Sequence, residues 1–330
     1  MTNASTGAPG DLGAVYTRGA SFRARAEARQ REYRARVLRA GWSWLGHILD
    51  EESAAAGKNF LTSAIHDAAR ERARRKGVAP QTFDNMLASQ AMCFNLFAPL
   101  AADLDLAGAV LGPLLDLATV RAIAIEHTPA RDIFGDQSGR GGVDCDVLID
   151  ATARDGAAVL VTIETKFVEP DFSVCGFRNG KRLVEGRPFC PDDTPVRTDR
   201  AACLYASLKG YAYWKRTDEF GTLAPDALPE RGCAFAGSEW QLWVNHTLAH
   251  AEAARRDAAR ATFAVCAAAS NDALLGDGIL DRFRARLASP QSFRFVSLDV
   301  LIDRITEVSA TRGDDRREWA RGLAARYGRI

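Results

Sequence analysis

The sequence lacks the marks of export and of membrane insertion. Residues 1–20 are polar and rich in Gly, Ala and Thr, with no apolar stretch of the kind a secretory signal carries. No apolar run reaches the roughly 20 residues needed to cross a bilayer. Close cysteine pairs are missing too: the seven cysteines, at 93, 145, 175, 190, 203, 233 and 266, are odd in number and irregular in spacing. These absences point to a reduced cytoplasm, with thiols that are buried or idle. Excess charge of either sign is also lacking. Lys and Arg number 43 against 42 Asp and Glu, so the net charge is +1 and any nucleic-acid contact must come from local basic surface. Gly139, Gly141 and Gly142 make a flexible loop, but no Gly-Lys-Ser/Thr follows, which excludes a P-loop. A Gly-x-Ser-x-Gly elbow is absent as well. His246 and His250 stand at i, i+4, yet Thr247 occupies the place where a zinc-protease helix has Glu. There is no internal repeat.

What is present reads as a globular chain. Its 330 residues allow about two domains, or one domain with insertions. Residues 1–20 read as a disordered tail. From Ser21 to about Ala56 the chain is rich in Ala, Arg and Glu, with Tyr33, Val37, Trp44, Leu45 and Ile48 at roughly helical spacing. A second Arg-rich helix ends in the run 70–76, before Gly77 and Pro80. The next helix, over 81–98, carries Met86, Leu87, Gln90, Cys93, Phe94 and Phe97. Three strands follow, Val120 to Glu126, Val143 to Thr152 and Ala157 to Phe167. The stretch 168–238 holds most of the prolines and one short helix near 199–214, and reads as an insertion over the sheet. Then come a helix over Glu239–Arg255, strands at Thr262–Ala268 and Ser292–Ser297, a helix near 299–308 and a terminal helix over Asp314–Tyr327. That order predicts an α/β fold with a mixed central sheet flanked by helices.

The second and third strands carry the chemistry. On both, the odd positions are apolar: Val143, Cys145, Val147 and Ile149, then Val159, Val161 and Ile163. Asp144, Asp146, Glu164 and Lys166 share the other face, because side chains alternate along a strand. The link Arg154-Asp155-Gly156 fits a three-residue hairpin loop with Gly156 in the left-handed position. Ala153 then faces Ala157, and counting back sets Asp146 against Glu164 and Asp144 against Lys166. Opposed carboxylates, about 5 Å apart at Cβ, repel. A hard divalent cation, Mg²⁺ or Mn²⁺, relieves that repulsion and takes such oxygen ligands. Asp144 is either an extra ligand or a plain ion-pair partner of Lys166.

The pattern Asp146-Val147-Leu148-Ile149, a short hairpin, then Ile163-Glu164-Thr165-Lys166 resembles the PD-(D/E)xK nuclease superfamily, which has the restriction-endonuclease-like fold. The likeness runs over roughly 80–300 in element order. Ser89 to Asn95, Gln241 to Asn245 and Lys166 to Glu169 are similar to a bacterial branch of it. The resemblance implies that Asp146 and Glu164 ligate metal and that Lys166 assists catalysis. The implied reaction is metal-dependent phosphodiester hydrolysis, with DNA the expected substrate and 5′-phosphate and 3′-hydroxyl products. Gln241 and Asn245, at i, i+4, are expected to touch the substrate backbone or the attacking water, and Gln90 the substrate. Glu169 reads as a loop carboxylate or a partner of Lys166. The Arg-rich run 70–76 and Arg178 to Arg182 either contact phosphates or are solvated surface. Cys145 stands where the superfamily name has Pro. The Glu that members often carry on the first core helix has no obvious match over 81–98; Asp84, or Glu126 at the end of the first strand, would stand in. Some members hold an iron–sulfur cluster on four cysteines. Neither a cluster nor zinc is expected on Cys175, Cys190, Cys203 and Cys233, since none of these forms a close pair.

The whole reads as a helical extension over 21–78, a core over about 80–310 and an insertion over about 168–238, in a single domain of residues 21–330. The expected partner is nucleic acid rather than a membrane; the oligomeric state stays open, a homodimer included. The alternative is a catalytically inactive nucleic-acid-binding or interaction module that keeps the nuclease fold.

Overall fold

The computed structural model describes residues 7–75, 77–136, 143–178 and 188–330. Lys76, the loop glycines 139, 141 and 142, and Asn179 to Arg182 lie outside the described residues.

Helix α1 (Phe22–Glu32) begins at Ser21, whose Oγ accepts the Ala24 N–H at 3.3 Å. It does not run on to about 56 as the composition predicts. A π-helical turn over Tyr33–Leu38 ends it, Arg39 takes a left-handed φ of 48°, and the chain turns into a small hairpin of β1 (Trp42–Ser43) and β2 (Leu45–Leu49). Tertiary bonding overrides helix propensity here. Arg34 is fully buried and donates to the carbonyls of Asp11, Ala40 and Gly46, three groups a continuous helix could not bring together. Residues 7–20, expected as a tail, are tied down by the same region. Glu27 accepts the N–H groups of Tyr16 and Thr17 at 2.6 and 2.7 Å, and Arg31 donates to the Leu12 and Gly13 carbonyls. The polar composition of this segment misleads because its partners are buried charges rather than an apolar core. A short α2 (Glu51–Ala55) and then α3 (Ser63–Ala73) complete this part.

Next come α4 (Ser89–Ala101) and α5 (Leu104–Leu115). The latter has no counterpart among the expected elements. Asp103 caps it, accepting the Leu106 N–H at 2.9 Å, and Asp116 closes it in a left-handed conformation. The sheet strands are β3 (Leu117–His127), β4 (Cys145–Ala153), β5 (Ala158–Lys166), β6 (Arg260–Ala267) and β7 (Phe293–Ser297). Between β5 and β6 lie α6 (Leu204–Ser207), α7 (Tyr213–Glu219) and α8 (Glu239–Arg255). Around β7 stand α9 (Asp272–Leu275), α10 (Ile279–Ala285), α11 (Leu298–Ser309) and α12 (Asp314–Tyr327).

Among the described residues five strands form one mixed sheet in the order β3-β4-β5-β6-β7. The first three make an antiparallel meander, and β6 and β7 continue it in parallel with β5. This is a mixed α/β sheet flanked by helices, in keeping with the restriction-endonuclease-like architecture. The register expected from the turn is the one observed. Ala153 N–H donates to the Ala157 carbonyl at 2.9 Å, Gly156 has φ +85°, and the ladder runs back to Val147 opposite Ile163.

The central strand β5 is buried along its length, as a strand covered on both sides must be. Val147, Ile149, Val161 and Ile163 meet α4, α5, α11 and α12 on one face. Leu148 and Leu160 meet α7 and α8 on the other, with Trp214, Leu242 and Trp243. The face that carries the charges is apolar through its middle, where Leu148 and Leu160 stand. Burying a side chain such as Leu242 contributes about 1.5–3 kcal/mol, so this packing fixes the height at which α8 meets the sheet.

Gly156 meets nothing within 4 Å of where a Cβ would stand, so any cost of substitution there is a backbone cost. Gly156→Ala is expected to lower the unfolding free energy by about 1 kcal/mol through the left-handed φ. A urea midpoint that stays at the parent value would refute the loop conformation.

Candidate active site

The meander brings three acidic side chains to one end of the sheet. Asp146 is the second residue of β4, Glu164 nears the end of β5 and Glu126 nears the end of β3. Asp146 Oδ2 accepts both the N–H and the hydroxyl of Thr165, each at 2.6 Å. Glu164 is buried and spends both oxygens. Its Oε1 accepts from Gln241 Nε2 at 2.7 Å and lies 2.9 Å from Lys166 Nζ, while Oε2 accepts from Asn245 Nδ2 at 2.8 Å. Gln241 and Asn245 lie one turn apart on α8, the helix whose apolar residues are pressed into the sheet. In this geometry both amides are held on one carboxylate. Gln241 Oε1 in turn accepts the Ser173 N–H at 2.9 Å.

Glu126, one of two candidates for the missing helix acid, is the one the fold brings in. It is buried and sits at φ 54°, a left-handed conformation that costs a side-chain-bearing residue about 1–2 kcal/mol. Arg72, in the last turns of α3, grips the Glu126 carbonyl through Nε at 2.7 Å and through Nη2. Gln90 Nε2 donates to Glu126 Oε2 at 2.7 Å, and its own Oε1 accepts from Ala79 N–H and Thr82 Oγ1. Gln90 thus holds Glu126. The other oxygen, Glu126 Oε1, is buried with no hydrogen-bond partner among the described residues. Asp84, the alternative, bonds to hairpin β2 through its carbonyl, which accepts the Leu49 N–H at 2.8 Å. A groove of about 370 Å³ lined by Arg23, Ser89, Gln90 and Glu169 opens beside this cluster.

The electrostatics follow from crowding. Burial first, and then Glu164, raise Asp146 to about 7, against the pull of Thr165 and Lys166. Burial and Asp146 raise Glu126 well above the usual carboxylate range. Burial works against the Lys166 ammonium, but Glu164, Glu169 and Asp146 outweigh it and hold Lys166 above its ordinary value. Lys166 Nζ also lies 5.8 Å from the centre of the Phe172 ring, an added stabilisation of the cation. Glu169 accepts the Phe167 N–H at 2.7 Å and adds its charge to the field around Lys166. Thr165 was not anticipated: on an apolar-patterned strand its hydroxyl looks like a β-former and nothing more.

The donor set is all oxygen, which suits a hard divalent cation. Among the described residues, no three His, Cys, Asp or Glu side chains stand as a closed metal cage. Thr165 occupies one oxygen of Asp146, and Gln241, Asn245 and Lys166 occupy both of Glu164. Asp144 stands half-buried just ahead of β4, outside the ladder, and the ion pair of Lys166 is made to Glu164. His246 Nε2 shares a hydrogen bond with Ser292 Oγ at 2.7 Å. In the basic run, Arg74 and Arg75 pair with Glu71 on the surface, and Arg178 pairs with Asp192.

The family model for the PD-(D/E)XK nuclease superfamily matches residues 17–176 and 236–329. No curated protein and no solved structure matches the chain. No single helix among the described residues is long and apolar enough to cross a membrane.

The Asp146 shift makes stability depend on pH with a definite sign. A carboxyl raised on folding favours the fold while it is neutral. That contribution is complete below about pH 4, the unfolded value, and is lost as pH rises through about 7, the folded one. In chelator, Asp146→Asn is expected to be more stable than the parent at pH 8 by roughly 2–4 kcal/mol and to lose much of the parent's decline between pH 5 and 8. Thermal melts across that range check it; an unchanged slope in the variant would show that this carboxyl is not the source.

Proposed function

The chain belongs to the PD-(D/E)XK nuclease superfamily, and on that premise we propose that it is a metal-dependent nuclease that hydrolyses phosphodiester bonds, with DNA as substrate. The observation that carries this reading is the buried convergence of Glu126, Asp146 and Glu164 with one ammonium, Lys166, beside them. Three carboxylates cannot all ionise in so dry a place without added positive charge. Glu126 Oε1, buried and unpartnered, is the kind of oxygen a cation would satisfy.

Asp146 and Glu164 would hold the divalent cation, joined by Glu126, which takes the place foreseen for Asp144. When bound, the cation supplies positive charge against the phosphate and acidifies a water. Lys166 orients the attacking water or stabilises charge gathering on the phosphoryl oxygens. Water attacks phosphorus in line, the bond from phosphorus to the 3′ oxygen breaks, and that oxygen leaves with a proton, giving 5′-phosphate and 3′-hydroxyl ends. Gln241 and Asn245 hold the Glu164 carboxylate at its angle, and Gln90 does the same for Glu126. They are positioning residues, and groups of this kind commonly carry 10–100-fold effects.

Nicking of supercoiled plasmid in Mg²⁺ or Mn²⁺ tests the reading. Activity is expected in the parent, with losses on the order of 10²–10⁴-fold in Glu164→Ala and Lys166→Ala. Asn245→Ala is expected to lose roughly 10–100-fold while requiring more metal for half-maximal rate. DNA retained on a gel without cleavage, under any divalent cation, would replace this reading with that of an inactive binding module.

A further inference from the structure

The amino-terminal part of the chain reaches the acidic end of the sheet and brings a cation there that takes no part in holding the acids. Phe22, the first residue of α1, is buried edge-on against Phe167, with ring centres 6.5 Å apart, and Phe167 directly follows Lys166. That packing sets the next residue, Arg23, beside the end of β5. Arg23 lines the groove of about 370 Å³ with Ser89, Gln90, Val168 and Glu169. Gln90 is the amide on Glu126, and Glu169 adds its charge at Lys166, so the groove adjoins the acids. Among the described residues that line it, Arg23 is the one cation and Glu169 the one carboxylate.

Arg23 is half-buried and anchored along one edge. Its Nε donates to Thr17 Oγ1 at 3.2 Å, and its guanidinium carbon lies 5.6 Å from the centre of the Tyr16 ring. Tyr16 and Thr17 are themselves fixed, because Glu27 accepts their N–H groups at 2.6 and 2.7 Å, one on each carboxylate oxygen. Glu27 stands at i+4 from Arg23, where a helical ion pair ordinarily forms. Its oxygens are spent on the preceding segment instead, and Arg23 makes no ion pair among the described residues. The other arginines of α1 behave differently. Arg25, Arg29 and Arg31 each donate through a terminal nitrogen to a backbone carbonyl, of Ala20, Gly328 and Gly13 respectively. The terminal nitrogens of Arg23 make no hydrogen bond among the described residues. Arg23 is thus a charged planar fork with one edge held and the other open.

A guanidinium fork of this kind matches the two free oxygens of a phosphodiester. We propose that Arg23 clamps a backbone phosphate of the bound DNA strand, one that neighbours the phosphate being cut, and that Tyr16 and Thr17 serve to hold it in position. The inference rests on the nuclease reading, since a strand crossing the acids is what carries a second phosphate into the groove. Lys166 does not serve that second phosphate, because its ammonium is held 2.9 Å from Glu164 Oε1. Glu169 opposes an anion in the groove, but its charge is answered by Lys166. The start of α4 at Ser89 has no side-chain cap and adds partial positive charge on the same side. Fixing the guanidinium before the strand arrives lowers the entropy lost on binding, which gives the ordered segment before α1 a purpose in recognition.

Fluorescence anisotropy of a short labelled DNA duplex, with Ca²⁺ supplied to neutralise the acids, reads binding apart from cleavage. Arg23→Gln is expected to bind about tenfold more weakly and to lower the slope of log affinity against log salt by about one, the loss of a single phosphate contact. In nicking assays the same variant should raise KM about tenfold and keep kcat within about threefold of the parent. Arg25→Gln, on the same helix and outside the groove, should keep the parent's affinity and slope. An Arg23→Gln protein with the parent's slope refutes the clamp, and so does an Arg25→Gln protein that loses as much; either leaves the nuclease reading to its own nicking result. A parent that neither binds nor nicks DNA overturns both. Should Arg23→Gln fail to fold, the parent still decides: bound DNA should slow modification of Arg23 by phenylglyoxal, and modification at the unbound rate refutes the clamp.

Discussion

Repulsion between carboxylates withheld from water is the constraint on which this molecule is arranged. Asp146, Glu164 and Glu126 approach one another at the strand ends, where few waters can screen them, and unit charges interact far more strongly there than in bulk solvent. Nearly every polar side chain around them answers that repulsion. Thr165 gives Asp146 two donors, Gln241 and Asn245 give Glu164 one each, Gln90 serves Glu126, and Lys166 supplies the compensating cation. The arrangement stays stable because those donors stand on elements whose other faces are locked in apolar packing. Helix α8 shows this division of labour: Leu242 and Leu248 are packed into the apolar core while Gln241 and Asn245, one turn apart, reach the acid.

The part of the site carried by one hairpin was legible in the chain itself. A three-residue turn with Gly156 sets the register, the register sets Asp146 against Glu164, and alternation sets Lys166 beside Glu164. All of that is local and periodic, so it survives being read one residue at a time. Gln241 and Asn245 were also visible, through their spacing, though as substrate contacts rather than as the amides that hold Glu164. Glu126 was visible only as a candidate. Its selection over Asp84 depends on a left-handed residue at the end of an edge strand and on Arg72 and Gln90, which come from two helices well before it in sequence. No pattern of period 2 or 3.6 encodes a meeting of that kind.

The same distinction accounts for the other differences. The hairpin over Trp42–Leu49 replaces a helix because buried Arg34 collects carbonyls from three separate places, and a propensity count sees only an Arg-rich, Ala-rich run. The segment 7–20 is ordered by Glu27, Arg31 and Arg34 in the same way.

The hold of Arg72 on the Glu126 carbonyl carries an implication for how much of the chain the chemistry requires. Helix α3 belongs to the region before the sheet, which is easily taken for a dispensable leader. A shortened protein that began at α4 would keep the five strands of the main sheet and the three acids, yet would lose the hold of Arg72 on the backbone of residue 126. Released, that residue would relax toward an ordinary extended conformation and pull its carboxylate against the Gln90 amide. The leading helices thus support the acidic end of the sheet, through this guanidinium as well as through the core that Phe22, Ile65 and Ala69 share with α4.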